Sequence, residues 1–150
     1  MKAIINKQAR FSFEFLDTFQ AGIVLKGHEV KSIKSGQISL KGAYIVLKSE
    51  PDPALWLIKA HISPYKYAGP LPDHDPERPR KLLINKNELK SLIGKLKEKG
   101  LTLVPIKVYT KRTLVKIEFG LGKGKKLYEK KEAKKTKDVE KEIRRTLKYQ

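Results

Sequence analysis

Side chains able to do chemistry are few and scattered in this sequence of 150 residues. The three histidines, His28, His61 and His74, lie far apart. The one metal-like cluster, "DHD" at 73–75, sits in a proline-rich stretch that reads better as a solvated loop. Cysteine is absent, so neither a thiolate metal site nor a disulfide is available. "GLGKGKK" at 120–126 looks like a phosphate-binding loop, yet it lacks the four-residue spacer and the Ser/Thr after the lysine that a Walker motif needs. No nucleophile elbow, carboxylate pair or Ser/His/Asp order is signalled. These residue types predict a binding protein, not an enzyme, with no cofactor and no metal.

Positive charge is the chemistry that remains. Thirty-four Lys and Arg face 16 Asp and Glu, a net charge of +18. Each phosphate neutralised by such a surface releases condensed counterions, so the expected partner is a polyanion, nucleic acid first. An anionic membrane comes second, but no long apolar run or lysine-rich amphipathic helix favours it. No export signal follows Met1, which leads us to expect a cytoplasmic protein. The basic residues cluster as Lys2, Lys7 and Arg10, as Lys31 and Lys34 one turn apart, and as Arg78, Arg80 and Lys81. One such cluster alone is a solvated face; together they favour binding to an RNA or DNA backbone. Within the lysine run Gly122–Lys137 sits a lone ring, Tyr128. It could stack on an unpaired base or pack back on the body as a staple for the tail.

The elements that must position these groups read mainly as strands. Phe11, Phe13 and Phe15 alternate in "FSFEF", and "AGIVLKG" is a second apolar run. "AYIVLKS" and "ALWLIKA" flank "EPDP", which suits a hairpin turn. "LTLVPIKVYT" and "TLVKIEF" alternate on either side of "TKR", and Pro105 implies an edge or a bulge. Six short strands predict a small antiparallel β-barrel with flanking helices, mainly β with two to three helices and a basic C-terminal tail. One short helix spans "HEVKSIKSG", with Val30 and Ile33 inward and Gly36 ending it. A stronger one spans "NKNELKSLIGKLKEKG", opened by Asn85 with Glu88 and stopped by Gly100. "YAGPLPDHDPERPRK" reads as a surface loop. After Gly120, Gly122 and Gly124 the composition shifts: residues 121–150 hold 12 basic and 5 acidic residues, about twice the charge density of the body. This divides the chain into an RNA-binding body, 1–120, and a tail, 121–150, whose thin stripe of Val139, Ile143 and Leu147 makes a marginal helix when free.

"NKQAR" at 6–10, "FQAGIVLKGHEVKSIKSG" at 19–36, "HISPY" at 61–65, "HDPERPRKLLIN" at 74–85, "GLTLVPIKVY" at 100–109 and "GKGKKLYEKKE" at 122–132 together resemble the small protein B, or SsrA-binding protein, family. The match is collinear over nearly the whole chain. The resemblance implies an oligonucleotide-binding-like barrel that holds the tRNA-like domain of transfer-messenger RNA. It also implies a tail entering the decoding region of the small ribosomal subunit during trans-translation. Carried over by motif, Asn6, Gln20, Leu83 and Asn85 fall where the family makes or supports its RNA contact, beside the basic residues Lys7, Arg10, Lys31, Lys34 and Lys81. The implied decoding-region residues are Gly124, Lys125, Lys126, Tyr128, Glu129, Lys130 and Lys131. Gln20 departs from the family's usual Glu: it keeps the acceptor oxygen, loses the charge and adds donors. Glu129 and Lys131 stand where Asp and Arg are usual, and Lys131 lacks the bidentate fork of Arg. For Leu83 a core role capping the barrel remains open. A generic ribosomal or nucleoid-associated protein is the alternative to the whole reading.

Overall fold

The structure is a computed structural model that describes residues 3–49, 52–69, 74–98 and 100–125. Two long strands dominate its second half. β8 (Leu101–Lys111) and β9 (Leu114–Gly124) form an antiparallel hairpin across Arg112 and Thr113, where Arg112 takes a φ of 59°. This is the return expected at "TKR". The register shifts between Pro105 and Lys107, so the proline that cannot donate to the ladder sits at a bulge. That bulge is held from outside: the Asn6 side chain donates to the Pro105 carbonyl at 2.8 Å, and the Asn6 backbone N–H donates to Ile106.

"FSFEF" and "AGIVLKG" are one strand, not two. β2 (Phe13–Ile23) is continuous because a bulge between Phe15 and Asp17 absorbs the break in alternation and turns Leu16 outward. Phe11 is not in that strand; it lies in the last turn of a short helix, α1 (Lys7–Ser12), which periodicity over six residues did not reveal. β1 (Ile4–Ile5) precedes it and pairs with β8. β4 (Tyr44–Lys48) and β5 (Ala54–Ile58) form the expected hairpin. β7 (Arg80–Leu83) lies between β5 and β2 and begins in the last two residues of the stretch that reads as a loop, and β3 (Ile38–Ser39) and β6 (His61–Ile62) make a separate two-stranded ladder.

The pairing closes on itself. β8, β4, β5, β7, β2 and β9 are neighbours in that order, and β9 returns to β8, giving an antiparallel ring consistent with an OB-like fold. The ring has no free edge among these six strands. Leu55, Leu57, Leu82, Leu103, Val108, Ile117, Phe119 and Leu121 point into it, each at most 2% exposed. Burial of one such side chain contributes about 1.5–3 kcal/mol.

Two helices seal this core. α2 (Gly27–Lys34) sends in Ile33, and α3 (Lys86–Lys95) sends in Leu92. α2 ends in a Schellman motif: Gly36 at φ 77° lets its own N–H reach Ile33 and the next N–H, of Gln37, reach Ser32. Asn85 caps α3 by accepting from the Asn87 backbone N–H at 2.9 Å. That helix finishes at Lys95, before Gly100, which instead takes φ 81° at the entry to β8.

β9 runs on through Gly124, past the 120/121 boundary that composition suggests. Gly120, Gly122 and Gly124 are all positions in that strand. A Cβ on Gly120 would come within 2.8 Å of Phe15 Cε1, and one on Gly122 within 3.2 Å of the same ring. The bare backbone is what admits that ring.

Candidate nucleic-acid interface

Alternation along the ring decides which residues face outward. On β7, Arg80 and Leu82 point in, so Lys81 and Leu83 point out. Leu83 is 57% exposed, which removes the core role open to it in the sequence. Opposite it on β2 stands Gly22, whose missing side chain leaves the flank of Leu83 uncovered. Two residues back is Gln20, also exposed, in register with Glu118 of β9. Thus β7 and β2 bring Lys81, Leu83 and Gln20 onto one outer face.

The polar side of this face is ordered. The Tyr109 hydroxyl donates to Gln20 Oε1 at 2.7 Å, and Lys107 pairs with Glu118 at 3.5 Å. Burial, then the charge of Glu118, holds the Tyr109 pKa above its ordinary value, so the phenol remains a donor. Gln20 therefore serves as an acceptor within the protein, as Glu could.

Other sites carried over from the motif serve the framework. Asn6 is buried and pins the Pro105 bulge; Asn85 is a helix cap. Each fixes the backbone beside a candidate contact: Asn85 follows Leu83 by two residues, and Asn6 precedes α1. On α1, Lys7 and Arg10 are exposed. Lys7 borders a cleft of about 330 Å³ with Gln8, Ser39 and Lys41. Lys125 continues the β9 line toward α1, its backbone N–H bound to Ser12 O and its ammonium to the Arg10 carbonyl.

The cluster Arg78, Arg80 and Lys81 divides. Arg80 is fully buried, a correction to its reading as part of a contact patch. Its Nε and Nη2 donate to Glu29 Oε2 at 3.0 and 2.6 Å, its Nη1 to Ala60 O at 2.6 Å, and its Nη2 also to Pro76 O at 3.0 Å. Glu29, 1% exposed on α2, receives Arg78 and the Lys26 backbone N–H on its other oxygen. Burial alone would raise the Glu29 pKa; the Lys26 hydrogen bond, those from Arg80 and Arg78, and the Arg80 charge outweigh it and hold the value below the ordinary 4.5. The cluster is a clamp joining α2 to β7. Lys81 alone of the three is freely exposed on the outer face.

Lys31 and Lys34 stand exposed on α2. Beside them is an aromatic pair the sequence does not single out: Tyr65 and Tyr67, edge to face at 5.6 Å. Lys31 Nζ lies 5.7 Å from the Tyr65 ring centre and Lys66 Nζ 5.5 Å from that of Tyr67. A "Y-K-Y" triplet after a strand is the signal that could have marked it. His74 packs edge-on against His28 at 5.1 Å, and among the described residues no group of three or more His, Cys, Asp or Glu could hold a metal. No helix among the described residues is long and apolar enough to cross a membrane. Of the tail sites, Gly124 and Lys125 are described; Lys126, Tyr128, Glu129, Lys130 and Lys131, and the helix expected beyond Ala133, lie outside the described residues, as does Lys2.

With this geometry in place, the chain can be set beside known proteins. The SmpB protein family matches residues 3–149. The SsrA-binding protein of Trichormus variabilis is 49% identical over 143 residues, covering 95% of this chain and 90% of the relative. The SsrA-binding protein of Gloeothece citriformis is 48% identical over the same shares. A solved structure described as "tmRNA-SmpB: a journey to the center of the bacterial ribosome" holds a chain 43% identical to this one. The two superpose with a TM-score of 0.66 over 83% of this chain and 85% of that one.

Proposed function

The chain belongs to the SmpB protein family, and from that membership we propose that it binds the tRNA-like domain of transfer-messenger RNA and delivers it to stalled ribosomes for trans-translation. The observation that carries this reading is the near full-length match to SsrA-binding proteins. The outer face of β7 and β2 supplies a surface suited to RNA, with an exposed leucine for the apolar side of a base or ribose, an amide for polar groups, and Lys81 for phosphate. Lys7 and Arg10 on α1 add phosphate contacts. The protein acts as a non-catalytic carrier in the cytoplasm. Its tail, from Gly124 and Lys125 through Lys131, makes the ribosomal contact.

The alternative, a generic ribosomal or nucleoid protein, draws on net charge alone, which is blind to sequence and shape. Two measurements on the full chain separate them. Pull-down from a lysate should enrich one discrete RNA above bulk ribosomal RNA. Leu83→Ala, at an exposed position, should leave the melting temperature unchanged and weaken transfer-messenger RNA binding about tenfold, the equivalent of losing the burial of its methyl groups at an interface. Equal capture of bulk RNA, with no effect of Leu83→Ala, refutes the specific reading.

A further inference from the structure

Two tyrosine rings with lysines beside them, half-buried Tyr65 and exposed Tyr67, lie on elements that share no residue with the β7–β2 face. We propose that α2 and the segment following β6 form a second RNA-contact site, which stacks an unpaired nucleotide on Tyr67 and Tyr65. This rests on the RNA-binding reading above. Tyr67 is 76% exposed, the most exposed of the large hydrophobic residues described. Water is a poor partner for a ring that large, whereas a nucleobase is a flat partner of matching size.

Its surroundings favour an anionic ligand. Lys66 lies against the Tyr67 ring and Lys31 against Tyr65, and Lys34 follows one turn along α2. Among the described residues neither Lys31 nor Lys66 is in an ion pair. The rings border a cleft of about 360 Å³ that reaches Ser32, Ser35 and Gln37. Both serine hydroxyls are already committed as donors, Ser32 to Ser63 O at 2.6 Å and Ser35 to Lys31 O at 3.0 Å. Gln37 differs. Its backbone is pinned on both sides, N–H to Ser32 and carbonyl to the Ser63 N–H, so its amide is presented to the cleft from a fixed point. An amide offers a donor and an acceptor side by side, the pairing that a base edge requires. Two rings, an amide on a pinned backbone and three lysines match a nucleotide's base, edge and phosphates in turn. A lysine-rich segment of the chain's own tail would be repelled from the same cleft. Lys31 and Lys34 thus belong with this site and not with Gln20 and Leu83.

The test uses the full-length protein and single-stranded hexa-adenylate at about 0.3 M salt, where the electrostatic contribution of the lysine tail is weakened. Adding the oligonucleotide should shift the NMR resonances of Tyr65, Tyr67 and Gln37. Tyr67→Ala should weaken its binding about tenfold, as expected for loss of one stacked base, while Tyr67→Phe retains it. Affinity for the isolated tRNA-like domain should stay within about twofold of wild type, since phosphate and Leu83 contacts remain. Shifts confined to β2, β7 or the tail, or undiminished hexa-adenylate binding by Tyr67→Ala, overturn the proposal. A wild-type protein that shows these shifts yet fails to retain transfer-messenger RNA supports this site and overturns the proposed function instead.

Discussion

Arg80→Met separates a structural arginine from an RNA contact. In the native protein the guanidinium is fully buried and donates four hydrogen bonds, two to Glu29 Oε2 and one each to the carbonyls of Ala60 and Pro76. Methionine fills similar volume and supplies none of them. Glu29 then keeps Arg78 and the Lys26 N–H on one oxygen, but its Oε2 loses both hydrogen bonds from Arg80 while staying buried. Removing one member of a buried pair costs about 3–5 kcal/mol, because the remaining charge is left only partly compensated in a medium that cannot solvate it. At about 2–4 °C per kcal/mol for a chain of this size, the melting temperature should fall by roughly 6–20 °C. Urea titration and thermal melts followed by circular dichroism at pH 7 measure this directly. At a temperature where the variant is folded, its RNA affinity should equal that of wild type. Removing both charges, as Glu29→Leu with Arg80→Met, should recover much of the loss, since a packed apolar pair can replace a buried ion pair. A variant of wild-type stability with weakened RNA binding would falsify the clamp and return Arg80 to the contact surface.

Three further outcomes are expected. A chain ending after Lys125 should melt like the full protein and bind the tRNA-like domain. One ending after Gly120 loses the burial of Leu121 and four residues of the β2 and β8 ladders, and should be less stable by at least about 1.5–3 kcal/mol; a folded 1–125 that fails to bind at low salt sinks the division between body and tail. Glu29 is held below its ordinary pKa, so the unfolded chain takes up the proton first. Its stabilising effect is complete above about pH 4.5 and drains away as the pH falls further, and the gap in urea midpoint between wild type and Glu29→Gln should narrow along that descent. A constant gap from pH 7 to pH 3 contradicts this. Tyr128→Ala should leave melting and transfer-messenger RNA affinity intact yet reduce peptide tagging of stalled ribosomes, with Tyr128→Phe active, if the ring stacks on a base; a lowered melting temperature with normal tagging favours the staple.

Much that was legible in the sequence is local in origin. The alternation of Val115, Ile117 and Phe119, the hairpin at Arg112, the Schellman glycine Gly36 and the cap at Asn85 depend on neighbours within a few residues, and each stands where the pattern puts it. The net charge is additive and needs no fold to point toward a polyanion, and the family was visible in contiguous motifs. Tertiary structure decided the rest, because burial of a polar group depends on partners distant in sequence. Arg80 reads as one more surface cation until Glu29, 51 residues away, meets it inside. The same inward arginine breaks the apolar alternation of β7, whose first two residues fall in the proline-rich stretch that reads as loop. Gly120 and Gly122 read only as markers of a composition shift until the Phe15 ring, brought in by β2, occupies the space their side chains would fill. Lys31 and Tyr65 become one site only when α2 and the segment after β6 pack together. A residue's type records what it can do; only the closed ring determines which face it shows and what it meets there.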